Sequence, residues 1–168
     1  MEIRLIDLGL TISESDPHRE CMANLRYSAP EAMLSLKSSF SRDIWCIVCT
    51  LVEFATGKVH FRSAQHTKAE YLAVIEGFTG SRIEDWDWPA IDGEYRGRFR
   101  MLCRSPLHLH RDNMRGTKYI DQIIPRKNAF SREFADLMKK VFVLDPANRS
   151  SAKEALQHDR FTKYGSTE

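Results

Sequence analysis

Hydrophobic positions fall at helical spacing in several separate stretches of this chain, and in a strand-like pattern at its start. In "EIRLIDLG", Ile3, Leu5 and Ile6 form a short strand-like core that Gly9 ends. Residues 10–28 have no clean period and read as a loop. From Ser41 the pattern changes: "SRDIWCIVCTLVEFATG" offers a serine N-cap, a long apolar body and Gly57 as a C-terminal stop. That helix is apolar nearly all round, which places it in the middle of a domain. "TKAEYLAVIEG" predicts a shorter helix with Tyr71, Leu72 and Ile75 on one face and Gly77 as its stop.

Residues 78–129 hold half of the Gly and Pro and have poor periodicity, so they read as an irregular insert with short helical turns at most. "SREFADLMKKVFVLDP" restores the helical period, with Ser131 as cap, Phe134, Leu137, Met138, Val141 and Phe142 as the apolar face, and Pro146 as the stop. "SAKEALQHDRF" carries a capping box, Ser151 with Glu154. The expected architecture is therefore mainly α: at least four helices and one orphan strand, without internal repeats.

Composition narrows the class. The 168 residues suit one domain, 42% are hydrophobic and 29% charged, and the net charge is +2. Acids and bases are interspersed, so no direct nucleic-acid binding is expected. No apolar run is long enough to span a bilayer. An acidic second residue and the lack of a small-residue cleavage site argue against a signal peptide. The expectation is an intracellular protein, nuclear or cytoplasmic, whose four cysteines are thiols. Cys46 and Cys49 form a C-x2-C inside an apolar helix, without the second pair or histidine partners that a zinc site wants.

Several pieces, taken in order, resemble the C-terminal lobe of eukaryotic protein kinases. "IRLIDLGL" resembles the strand and metal-binding turn D-F-G, with Leu8 in place of phenylalanine. "LRYSAPEAML" resembles the end of the activation segment, A-P-E, at Ala29, Pro30 and Glu31. "SFSRDIWCIVCTLVEFATGKVHF" resembles the long central helix with its D-x-W, and "VFVLDPANRSSAKEALQHDRF" the last two helices, D-P-x-x-R and E-A-L-x-H included. "EYLAVIEG" resembles the helix that names the LAMMER dual-specificity kinases, matching at Glu70, Leu72, Ala73 and Glu76. The resemblance implies a helical C-lobe starting at the metal-binding turn, one residual N-terminal strand, and no N-lobe. It divides the chain into residues 1–31 (metal-binding turn and activation segment), 41–77 (central and following helix), 78–129 (insert) and 130–162 (C-terminal helices).

Roles follow by the same resemblance. Asp7 is the expected Mg²⁺ ligand, weak when alone because Mg²⁺ gains much of its affinity from substrate phosphates. Glu31 and Arg149 are the expected ion pair tying the activation segment to the penultimate loop. Asp43 matches the central-helix aspartate that receives backbone N–H groups of the catalytic loop, and without that loop it is expected to face water. Asn24, Ser28 and Val48 depart from the family's usual threonine, arginine and glycine. Thr11, Ser13 and Ser15 are hydroxyls of the expected activation segment.

The tripeptide His110-Arg111-Asp112 spells the family's catalytic loop but is expected to be a decoy. That loop lies before the metal-binding turn, in the order H-R-D-x-x-x-x-N. Here it follows Asp7 far downstream, and Thr117 stands where the asparagine belongs. No catalytic residue is thus expected in the chain: the Gly-rich loop, the phosphate-binding lysine and the true catalytic loop have no counterpart in these residues. ATP and Mg²⁺ are implied for the family, and binding by this chain alone is not expected. Two readings stay open: part of a LAMMER-like kinase acting on protein Ser, Thr or Tyr, and a non-catalytic, pseudokinase-type protein-binding module. A protein partner or substrate is expected in either case, with self-association through the unpaired N-terminal strand.

Overall fold

The computed structural model describes residues 4, 6–13, 24–34, 36, 39–61, 68–83, 120–124 and 126–163. Seven α-helical segments appear among them: α1 (Pro30–Met33), α2 (Ser41–Thr56), α3 (Lys68–Thr79), α4 (Ile120–Ile123), α5 (Ala129–Val141), α6 (Ala152–Leu156) and α7 (Asp159–Thr162). Two 3-10 turns, Leu8–Leu10 and Leu25–Tyr27, precede them.

The helix α2 organises the rest. Trp45, Val48, Cys49 and Val52 are buried, the i, i+3, i+4, i+7 set that lies along one side of an α-helix. This side packs on α5, where Leu137, Met138 and Val141 are buried together with Ala135. Tyr71, Leu72, Ile75 and Phe78 contribute the buried side of α3, which packs on α1. An aromatic cluster fills the centre. Trp45 meets Phe142 edge-on, with centroids 4.9 Å apart and planes at 87°. Phe78 meets Phe61 at 4.9 Å and Phe142 at 5.2 Å, both in edge geometry, the arrangement ring quadrupoles favour.

Several expectations change in detail. Among the described residues there is no strand: Arg4, Ile6 and Asp7 have no regular structure, and Ile6 is 82% exposed. A strand needs a neighbour for its N–H and C=O groups, and the described residues offer it none. Ile3 and Leu5 lie outside them. Gly57 does end α2 in the left-handed region, φ 65°, donating its N–H to Glu53 O at 2.7 Å. Ser41 is not the cap of α2. Phe40 holds that position, and Ser41 sits in the first turn with its hydroxyl on that of Ser39.

Gly77 does not stop α3. The helix continues to Thr79 because the next residue, Phe78, is buried in the aromatic cluster, and Gly80 at φ 73° makes the turn. The cap of α5 is Asn128. Its Oδ1 accepts from Ser131 N–H at 2.8 Å while Ser131 Oγ accepts from Asn128 N–H at 3.1 Å, so Ser131 is the returning half of a capping box. The same helix ends at Val141, before Pro146 is reached. Ser151 and Glu154 form their box around the start of α6 as the spacing implies.

The central helix is also less enclosed than its composition suggests. Phe40, Ile47 and Phe54 recur every seven residues on the side away from α5, and all three are exposed, Phe54 at 81%. No helix among the described residues is long and apolar enough to cross a membrane.

Candidate functional site

The polar contacts of highest quality converge on residues 27–31. Glu31 and Arg149 stand 118 positions apart in sequence and meet with both side chains 0% exposed. Arg149 Nη1 donates to Glu31 Oε1 at 2.8 Å and Nη2 to Oε2 at 2.9 Å, the parallel two-pronged geometry a guanidinium offers a carboxylate. Nη1 also donates to Ser41 O at 2.7 Å, Nη2 to Leu144 O at 3.0 Å and Nε to Val143 O at 2.9 Å. All five guanidinium donors are therefore used. The indole of Trp45 lies beneath, its centroid 5.0 Å from the Arg149 guanidinium carbon. One arginine thus joins the start of α1, the start of α2 and the loop after α5.

Three further ties hold the preceding residues against the central helices. Tyr27 donates its hydroxyl to Glu53 Oε2 on α2 at 2.9 Å. That bond to a carboxylate raises the Tyr27 phenol above its ordinary range, and burial adds to it. Cys46 Sγ donates to Tyr27 O at 3.1 Å. Tyr71 of α3 donates to Ser28 O at 3.0 Å in a buried setting, and desolvation pushes its phenol far above its usual range. Ser28 itself is buried and donates its hydroxyl to Asn24 O at 3.2 Å. Periodicity had no means of finding the Tyr27, Cys46 and Tyr71 contacts, since each crosses between elements far apart in sequence.

Tyr71→Phe keeps the ring that packs on Phe61 and removes only the hydroxyl. It leaves Ser28 O buried without its donor, so a loss of about 1–3 kcal/mol is expected in urea unfolding, against a few tenths for an exposed Tyr→Phe change.

The cysteines of the C-x2-C are packing residues by environment. Cys49 is buried and desolvation drives its thiol well above the ordinary value. Cys46 is pushed up to about 11, again mainly by desolvation. A metal ligand has to be a thiolate, which both environments oppose.

Asp7 lies elsewhere. It is exposed, and it is the one non-glycine with positive φ among the described residues, at φ 60° and ψ 60°. An aspartate tolerates the left-handed region better than most residues, and such outliers gather at ligand-holding turns. No group of three or more His, Cys, Asp or Glu side chains suited to a metal occurs among the described residues. The described donor set therefore gives Mg²⁺ one carboxylate, short of a complete protein site. Asp43 is exposed in the first turn of α2, and Val48 faces the core. Asn24 is exposed and accepts from Arg26 N–H at 3.1 Å. Thr11 and Ser13 are exposed, while Ser15, His110, Arg111, Asp112 and Thr117 lie outside the described residues.

Comparison with known proteins places this geometry. The protein kinase domain family matches residues 1–161. The dual specificity protein kinase lkh1 of Schizosaccharomyces pombe is 33% identical over 96% of this chain and 24% of its own length. The serine/threonine-protein kinase AFC3 of Arabidopsis thaliana is 34% identical over 95% of the chain and 41% of its own. The mouse dual specificity protein kinase CLK1 is 28% identical over 95% and 33% respectively. A solved kinase-domain structure superposes with a TM-score of 0.76 at 25% identity, covering 94% of this chain and 46% of that one. The chain thus spans less than half the length of each of these proteins. It belongs to the protein kinase domain family and is similar to the LAMMER (CLK-type) dual-specificity kinases.

Proposed function

We propose that this chain is the C-lobe part of a LAMMER-like protein kinase, whose full-length form transfers phosphate from ATP to Ser, Thr or Tyr of protein substrates. The observation that carries this reading is the buried Glu31–Arg149 pair. It joins the A-P-E and D-P-x-x-R elements at opposite ends of the chain and closes the activation segment onto the helical base. Residues 1–31 are the metal-binding turn and activation segment, 41–77 the central and following helices, 78–129 an insert, and 130–162 the C-terminal helices. Asp7 is the metal-turn carboxylate, and its left-handed backbone supports that role.

In this family ATP and Mg²⁺ supply the phosphoryl group and neutralise its charge. What these residues contribute is position. Tyr27, Ser28 and Glu31 are each tied to a different helix or loop, which fixes the surface just before α1 for a docked peptide. A pre-fixed surface loses less entropy on binding than a flexible one.

The chain alone lacks the positioning and charge stabilisation that make up nearly all of phosphoryl-transfer catalysis. Purified as it stands, it should show no transfer from ATP to a generic Ser/Thr/Tyr peptide above background. Robust transfer abolished by Asp112→Asn would overturn that expectation and would restore His110-Arg111-Asp112 as a catalytic loop. A second reading, a non-catalytic protein-binding module, is favoured by the fixed surface at residues 27–31. Saturable peptide binding without ATP turnover, from a full-length protein that includes the upstream kinase elements, would favour it over the catalytic reading.

A further inference from the structure

The histidine of the E-A-L-x-H run has no part in the surface at residues 27–31. His158 sits where α5, α6 and α7 meet, and its side chain is only 7% exposed. Its Nε2 lies 2.9 Å from Asp136 Oδ2 on α5. Its Nδ1 lies 3.2 Å from the backbone nitrogen of Arg160, which makes His158 the N-cap of α7.

These two contacts fix the tautomer. A backbone N–H can only donate, so Nδ1 must present its lone pair to Arg160. The ring proton then stands on Nε2 and is donated to Asp136. Neutral imidazole in this one form satisfies both neighbours. Added protonation goes to Nδ1 and places a hydrogen directly against the Arg160 N–H. Two donors then face each other, and the cap is lost. At the other end of the ring the new positive charge strengthens the bond to Asp136.

The charged groups around the ring are Arg132, Glu133, Asp136 and Lys140 from α5, with Asp159 and Lys163 from α7 and its end. Most are already paired. Lys140 Nζ is 3.2 Å from Asp136, and Lys163 Nζ is 2.7 Å from Asp159 and 3.4 Å from Glu133. The Asp136 carboxyl is held below the usual carboxylate range, chiefly by its hydrogen bond with His158.

We propose that His158 is a proton-operated latch on the last helix: as neutral imidazole it binds α5 and caps α7, and as imidazolium it keeps α5 and releases α7. Protonation then loosens α7 without detaching the histidine from Asp136.

The test is nitrogen-15 NMR of the full chain from about pH 8 to about pH 5. The ring should begin as the Nε2–H tautomer. The Arg160 amide proton should move upfield in step with the imidazole titration, and its exchange, corrected for intrinsic pH dependence, should rise about fivefold, the effect of losing one N-cap. Two variants separate the halves of the latch. His158→Asn keeps an acceptor near the position of Nδ1 and does not titrate, so the Arg160 amide should stay constant. His158→Gln reaches towards Asp136 but does not cap, so that amide should sit at its released position throughout. An Nδ1–H tautomer at high pH, or an Arg160 amide that ignores the ring titration, overturns the proposal. The wild-type titration alone decides if either variant fails to fold.

Discussion

Arg149→Ala should cost roughly 3–5 kcal/mol of folding stability in denaturant melts. The reason is less the attraction lost than the charge left behind. Glu31 is fully enclosed, and without the guanidinium its carboxylate has no cation to replace the water it gave up. The carbonyls of Ser41, Val143 and Leu144 lose a donor in the same step. Glu31→Ala should be nearly as damaging, since it strands the arginine instead. The double substitution should cost clearly less than the sum, because it removes both charges together. Additivity of the two single losses to within a few tenths of a kcal/mol would mean that the side chains do not interact. Arg149→Lys should also be severe: an ammonium has three donors, and this site uses five in a planar fork.

Trp45→Ala is expected to be of similar size, about 3–5 kcal/mol, with a different cause. The indole is fully buried between Phe142, Phe61 and Arg149, so truncation opens a cavity where α2 crosses α5. Trp45→Phe separates volume from chemistry. Trp45 Nε1 is buried without a hydrogen-bond partner among the described residues, so phenylalanine discards a donor that was already uncompensated. Phenylalanine also keeps an aromatic face under Arg149. Its loss should therefore be less than half that of alanine. Equal losses for Phe and Ala would show that the indole nitrogen contributes to stability. An unchanged denaturant slope would assign both effects to the native state.

The sequence revealed what is local or repeats. The apolar body of α2 is plain from its composition, and Gly57 and the Ser151–Glu154 box mark termini by chemistry confined to one turn. Contacts across the chain were different. Pairing Glu31 with Arg149 required the family resemblance, because nothing within either segment refers to the other. The bonds of Tyr27, Cys46, Tyr71 and His158 to distant partners had no signal of either kind. Helix ends failed where two signals competed. Ser131 and Asn128 both carry cap chemistry, and Gly77 offered a stop that the burial of Phe78 overrode. Exposure along α2 was also hidden, since Phe54 reads the same in sequence whether covered or bare.

The reach of the Glu31–Arg149 contact has a consequence for the time at which the fold is completed. On a ribosome adding about 5–20 residues per second, 118 positions take roughly 6–24 s to translate. Through that interval Glu31 is ahead of Arg149, the cation it pairs with in the finished fold. It must remain hydrated, and α1 must wait in an open state while α2 and α3 are already long enough to collapse. Closing so long a loop early would cost chain entropy before any contact repaid it. The segment just before α1 is thus made 118 positions ahead of the residue that secures it, and its shape is set only when the loop after α5 arrives.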